Sequence, residues 1–98
     1  MESEMAHIQA IRQRITDRDY YVSTHAEAKM IQESLSRRDI ENAILTGRID
    51  RKLTRDARGT RYRIEGAATD GEAIQVICRF KEAYSLAITT VYRLTEAI

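Results

Sequence analysis

The chain has 98 residues, enough for one small domain with a single core. A hydrophobic content of 43% and a formal net charge of +1 exclude a disordered polyelectrolyte and a surface that is basic throughout. No apolar run approaches the length of a membrane span and the start MESEMAHIQ is acidic and polar, so a cytoplasmic protein that does not enter a membrane is expected.

Met5, Ile8, Ile11 and Ile15 recur at helical spacing, which predicts a first helix over about Ser3 to Thr16 within residues 1–17. The polar turn Asp17-Arg18-Asp19 closes it, and Tyr20-Tyr21-Val22 reads as a short extended lead-in. Thr24 and Glu27 have the capping-box spacing, so Thr24 is the expected N-cap of a second helix from His25 to about Gln32. A third helix starts at Ser36, with Asp39 as its box partner and Leu35 and Ile40 as a hydrophobic staple. Gly47 stands at its expected C′ stop.

After Gly47 the apolar period changes from helical to alternating. Four strands are predicted: Ile49 to Thr54, Arg61 to Glu65, Ala73 to Phe80, and Ser85 to Val91 or Tyr92. Asp70-Gly71 is a hairpin signal, and Lys81-Glu82-Ala83 closes the next turn. An odd-length loop at Asp70-Gly71 aligns Tyr62 and Ile64 with Ile74, Val76 and Cys78, leaving Arg61, Arg63 and Arg79 together on the other face. An even loop would do the reverse, but apolar matching favours the odd one. Leu86, Ile88, Thr90 and Tyr92 share a face by simple alternation. The expected fold is therefore α+β, with N-terminal helices packed on a four-stranded antiparallel sheet.

Charge is uneven along the chain. Residues 48–63 carry seven Arg or Lys against two Asp, while each flank has a balance of −2. This band, with Arg48, Arg51, Lys52, Arg55, Arg58, Arg61 and Arg63, can follow a phosphate backbone or can simply be a solvated hairpin. His7 and His25 are the only histidines and neither has a second ligand at metal spacing, so no metal and no cofactor are expected. The single Cys78 cannot form an internal disulfide, and its place in a strand pattern points to a buried thiol. Phosphate-loop, dinucleotide and nucleophile-elbow motifs are absent.

His25 falls in the first turn of a helix, where the partial positive charge of the terminus favours the neutral imidazole, and Lys29 lies one turn on along the same face. A neutral histidine beside a cation suits proton abstraction next to a phosphate, although a histidine here can equally serve packing. Arg79 interrupts an apolar strand, so its charge must reach solvent, a ligand, or a partner such as Glu65 or Asp39.

The pattern Ser23-Thr24-His25-Ala26, Asp39-Ile40, Ala43-Ile44 and Gly47-Arg48-Ile49 resembles a bacterial family catalogued as domain of unknown function 4258. Thr54-Arg55-Asp56, Gly59, Arg61-Tyr62, Gly66, Ala68-Thr69-Asp70-Gly71, Val76, Cys78-Arg79-Phe80 and Thr89-Thr90-Val91-Tyr92 continue the resemblance, which covers about residues 18–94. Lys29 departs from it, since arginine is commoner there, and lysine lacks the bidentate fork. The resemblance implies a RelE/barnase-like fold and the chemistry of small metal-independent ribonucleases, many of them toxins paired with a small antitoxin, here of zinc-finger type. Metal-free RNA cleavage needs a base for the 2′-hydroxyl, an acid for the leaving oxygen and cations at the phosphate. His25, Lys29, Arg79 and Tyr92 are the catalytic candidates, with Arg61 as a second clamp. Tyr92 would supply a proton or stack on a base, unless it merely packs. If they form one site, His25 must face Arg61 and Arg79 across one concave surface. A toxin-like endoribonuclease or RNA-binding protein is thus expected; the alternative is a non-catalytic interaction domain whose basic hairpin 48–63 docks an acidic partner.

Overall fold

The computed structural model describes residues 4–54, 59–81 and 85–94. Three helices come first or between early strands: α1 (Glu4–Thr16), α2 (Thr24–Glu33) and α3 (Arg37–Thr46). The strands are β1 (Tyr20–Val22), β2 (Arg48–Leu53), β3 (Arg61–Ala67), β4 (Ala73–Lys81) and β5 (Ser85–Arg93). They form one sheet in the order β1-β5-β4-β3-β2. The α+β class holds, but the expected four antiparallel strands become five in a mixed sheet, because Tyr20-Tyr21-Val22 pairs parallel with β5. Three residues are too few to show a strand period, so only the long-range pairing reveals β1.

The turn between β3 and β4 leaves Tyr62 opposite Cys78 and Ile64 opposite Val76, the odd-loop register. Side chains alternate across a strand, so Arg61, Arg63 and Arg79 share the face away from these core residues. All three helices lie on the core face. There Ile11, Ile40, Ile44, Ile64, Ile74, Leu86 and Ile88 are fully buried, each contributing about 1.5–3 kcal/mol by leaving water. The face of Leu86 and Ile88 does not continue to Thr90 and Tyr92 as alternation predicts. A bulge between Ile77 and Cys78 in the β4–β5 pairing inserts Thr89, and Val91 takes the next core position.

Ends of the helices are fixed by neighbours. Ser36 and Asp39 form the expected capping box at the start of α3. Gly47 ends α3 as its C-cap, in an extended conformation, one position earlier than the C′ place expected of it. A glycine is required there for space: a Cβ on Gly47 would fall 2.5 Å from the Ala43 carbonyl oxygen and 2.8 Å from the Gly66 Cα. Gly66 answers it, since a Cβ there would lie 2.8 Å from Ala43 Cα. The pair lets α3 sit directly on β3, where Asn42 Nδ2 donates to the Ala67 carbonyl at 2.8 Å. Arg12 of α1 donates to the Ile44 and Gly47 carbonyls at 3.0 and 2.7 Å, satisfying the open end of α3. Arg93 of β5 does the same for α2 through the Glu33 carbonyl at 2.8 Å.

Candidate functional site

The cap of α2 is Ser23, one residue before the expected Thr24, and tertiary bonds decide it. The Ser23 backbone N–H donates to the Ile88 carbonyl at 2.9 Å and its hydroxyl donates to the Thr89 carbonyl at 3.2 Å. The same oxygen accepts from the Ala26 N–H at 3.1 Å. Ser23 thereby pins the start of α2 to the bulge of β5 at the edge of the sheet. His25, the second helical residue, is exposed there, and the first N–H groups of α2 have no intrahelical acceptor.

Below this helix start lies a cleft of 410 Å³ on the face the helices leave uncovered. His25, Arg61 and Arg79 all line it, together with Ser23 and Thr89 from the cap and bulge. Tyr21, Lys81 and Ala87 complete the lining, so among the described residues no carboxylate lines the cleft. Arg61 precedes Tyr62 and Arg79 follows Cys78 in the antiparallel pair, which sets the two guanidinium-bearing residues beside each other. Concentrated positive charge at a helix N-terminus is an environment for an oxyanion such as phosphate. Arg79 does not turn to Asp39, which is bound on the other side of the sheet.

The remaining site candidates are distributed more widely. Lys29 is half-buried one turn along α2 and does not line the cleft. Tyr92 is on the same sheet face but stands opposite Gln75, to whose side chain its hydroxyl donates, and it lies outside the cleft lining. Arg63 is held by Asp50, its Nη2 at 2.9 Å from the carboxylate, and this bond raises the guanidinium above its ordinary value. Asp50 also accepts from Gln75 at 3.1 Å. Arg48, Arg51 and Lys52 are exposed on the edge strand β2. Arg55 and Arg58 lie outside the described residues. Among the described residues the basic band divides: Arg61 lines the cleft, Arg63 pairs with Asp50, and β2 carries Arg48, Arg51 and Lys52.

Cys78 is buried in the core, and loss of hydration pushes its thiol up to about 12, which leaves it no nucleophilic role. Among the described residues no group of three metal-ligating side chains is found, and no helix is long and apolar enough to cross a membrane. Sequence reasoning missed Tyr21, Lys81 and Ala87 as members of the site. Tyr21 is the residue of β1 that points away from the core, between Tyr20 and Val22, but that signal appears only once β1 is paired with β5.

The family of the domain of unknown function (DUF4258) matches residues 22–93, most of the chain. The chain belongs to this family. The DUF4258 match begins at Val22 and ends at Arg93, so it spans His25, Arg61, Arg79 and the whole of β2 to β5 while leaving α1 outside. No curated protein and no solved structure matches the chain.

Proposed function

We propose that this DUF4258 protein is a metal-independent endoribonuclease of toxin type, acting in the cleft under the start of α2. The observation that carries the proposal is the convergence of His25, from a helix N-terminus, with Arg61 and Arg79, from adjacent strands, around one cleft. Those are the residue types that phosphodiester transfer requires: a proton acceptor beside paired guanidinium groups.

In this mechanism the His25 imidazole takes the proton of a ribose 2′-hydroxyl. The freed oxygen attacks the adjacent phosphorus while Arg61 and Arg79 hold the non-bridging oxygens, whose charge grows in the transition state. The bond from phosphorus to the 5′-oxygen breaks, leaving a 2′,3′-cyclic phosphate on one fragment. Lys81, the ammonium lining the cleft, donates the proton that the leaving 5′-oxygen takes up. Tyr92, tied to Gln75 outside the lining, has no part in this scheme, and Lys29 contributes only a distant positive charge. The RelE/barnase-like fold, the small zinc-finger antitoxin as partner and the cytoplasmic setting rest on the family resemblance and on composition. The test is incubation of purified protein with total RNA in EDTA, followed by analysis of the new ends. Cyclic phosphate ends, and slowed growth on expression in bacteria, support a toxin nuclease; intact RNA and unaffected growth refute it.

A second reading has its own support. Arg48, Arg51 and Lys52 are all exposed on an edge strand, a suitable surface for an acidic partner protein and independent of any catalysis. Salt-sensitive binding of such a partner, unchanged by His25→Ala and lost when these three residues are replaced, is its mark.

A further inference from the structure

Tyr21, Ala87 and Arg79 form one row across three strands on the uncovered face: Tyr21 of β1 stands opposite Ala87 of β5, and Ala87 opposite Arg79 of β4. Arg61 prolongs the row on β3. Neighbouring strands are about 4.8 Å apart, which places Tyr21 and Arg79 roughly 10 Å apart with only a methyl group between them. The row thus has an aromatic ring at one end, a gap in the middle and guanidinium groups at the other end. Tyr21 is 39% exposed although it lines the cleft, and the Lys81 ammonium lies 5.8 Å from its ring centroid. Nothing on the ladder requires an aromatic residue here, since Val22 and Tyr20 already supply the core contacts of β1.

We propose that the cleft takes single-stranded RNA, with one unpaired nucleobase stacked on Tyr21 and the adjoining phosphate crossing Ala87 to reach Arg79 and Arg61. This deepens the nuclease reading and rests on it. A base can lie flat on Tyr21 only when it is unstacked and unpaired, so duplex RNA is excluded by geometry and not by charge. The phenol ring and the cation beside it accept any base, because every base has a π-face, so the site selects strandedness over sequence.

The experiment measures binding of fluorescent oligonucleotides by anisotropy, using 2′-O-methyl RNA that cannot be cleaved. The probes are a single strand, the same strand in a duplex, and a strand of abasic units. Wild type is expected to bind the single strand about tenfold or more tightly than either other probe. Tyr21→Phe is expected to stay within about twofold, whereas Tyr21→Leu, which keeps bulk without an aromatic face, should lose about tenfold for the single strand alone. Arg79→Ala should weaken all three probes. If Tyr21→Leu binds the single strand as wild type does while Arg79→Ala does not, the stacking site is overturned and the nuclease reading stands. If wild type binds none of the probes, both fall. Thermal melting of each variant confirms that the fold is intact.

Discussion

Arg61 and Arg79 occupy neighbouring positions of the β3–β4 ladder, each one residue beyond the Tyr62–Cys78 pair and both lining the cleft beneath His25. Two guanidinium groups so placed offer one bound anion a double fork of donors. Inorganic phosphate should therefore raise the melting temperature of the wild-type protein, by binding the folded state only. Arg79→Ala should melt at a similar temperature without phosphate and lose most of the rise. A variant that keeps the full rise would show that phosphate binds elsewhere.

Arg79→Ala should also separate catalysis from folding. Removing one clamp from a developing oxyanion costs about 10²- to 10³-fold in turnover. Arg63→Ala should do the opposite, because Arg63 serves Asp50 and not the cleft. Its loss should lower stability by about 1 kcal/mol while leaving turnover within about threefold. Parallel denaturation and cleavage measurements on the two variants check the contrast.

Asp39 holds the start of α3 to the β3–β4 turn. Burial by itself would raise its carboxyl, but hydrogen bonds from the Ser36 N–H and hydroxyl and from the Thr69 N–H and hydroxyl outweigh it and hold the group well below its ordinary value of 3.8. A depressed folded-state value means that the unfolded chain binds the proton more readily. The contribution of Asp39 is thus fully present above about pH 4 and is lost as pH falls toward the folded value. Asp39→Asn should destabilise the protein by about 2–3 kcal/mol at neutral pH, and its stability should fall less steeply than wild type's between about pH 4 and pH 2. Urea titrations across this range measure both.

Gly66→Ala should be among the most damaging single changes. The added Cβ meets the backbone of Ala43, so α3 must lift from β3 and strain the contacts of Ile40 and Ile44. A loss of about 3 kcal/mol or more is expected, comparable to overpacking a core. Gly71→Ala, with open space around its Cβ but a φ of 92°, should cost only the strain of a left-handed residue, about 1 kcal/mol. Equilibrium unfolding of the two variants gives the comparison.

Alternation of Tyr62 and Ile64 with Arg61 and Arg63 was enough to choose the β3–β4 register, and with it the company of Arg61 and Arg79. Helix α3 was legible for the same reason: Ser36, Asp39 and Leu35 are local signals that nothing tertiary opposes. What escaped depended on distant partners. Ser23 became the cap because Ile88 and Thr89 accept its bonds, and no local rule distinguishes it from Thr24. Thr89 became a bulge through its pairing with β4, and that shifted Val91 into the core in place of Thr90. Gly47 reads as a helix stop and Gly66 as a turn residue just past the strand predicted to end at Glu65; their close approach to each other and to Ala43 exists only in three dimensions. Tyr21 and Ala87 entered the site through the parallel β1–β5 pair, which three residues of sequence do not announce.

The central claim is that His25 performs proton transfer in a cleft built to hold phosphate. Single-turnover cleavage of a single-stranded RNA in EDTA, comparing wild type with His25→Ala, tests it most directly. The account predicts cleavage by wild type without any divalent metal and a fall of about 10²- to 10⁴-fold in the variant, the range for loss of a general base, with the melting temperature preserved. Wild-type cleavage that requires magnesium, or that His25→Ala retains at full rate, would contradict it.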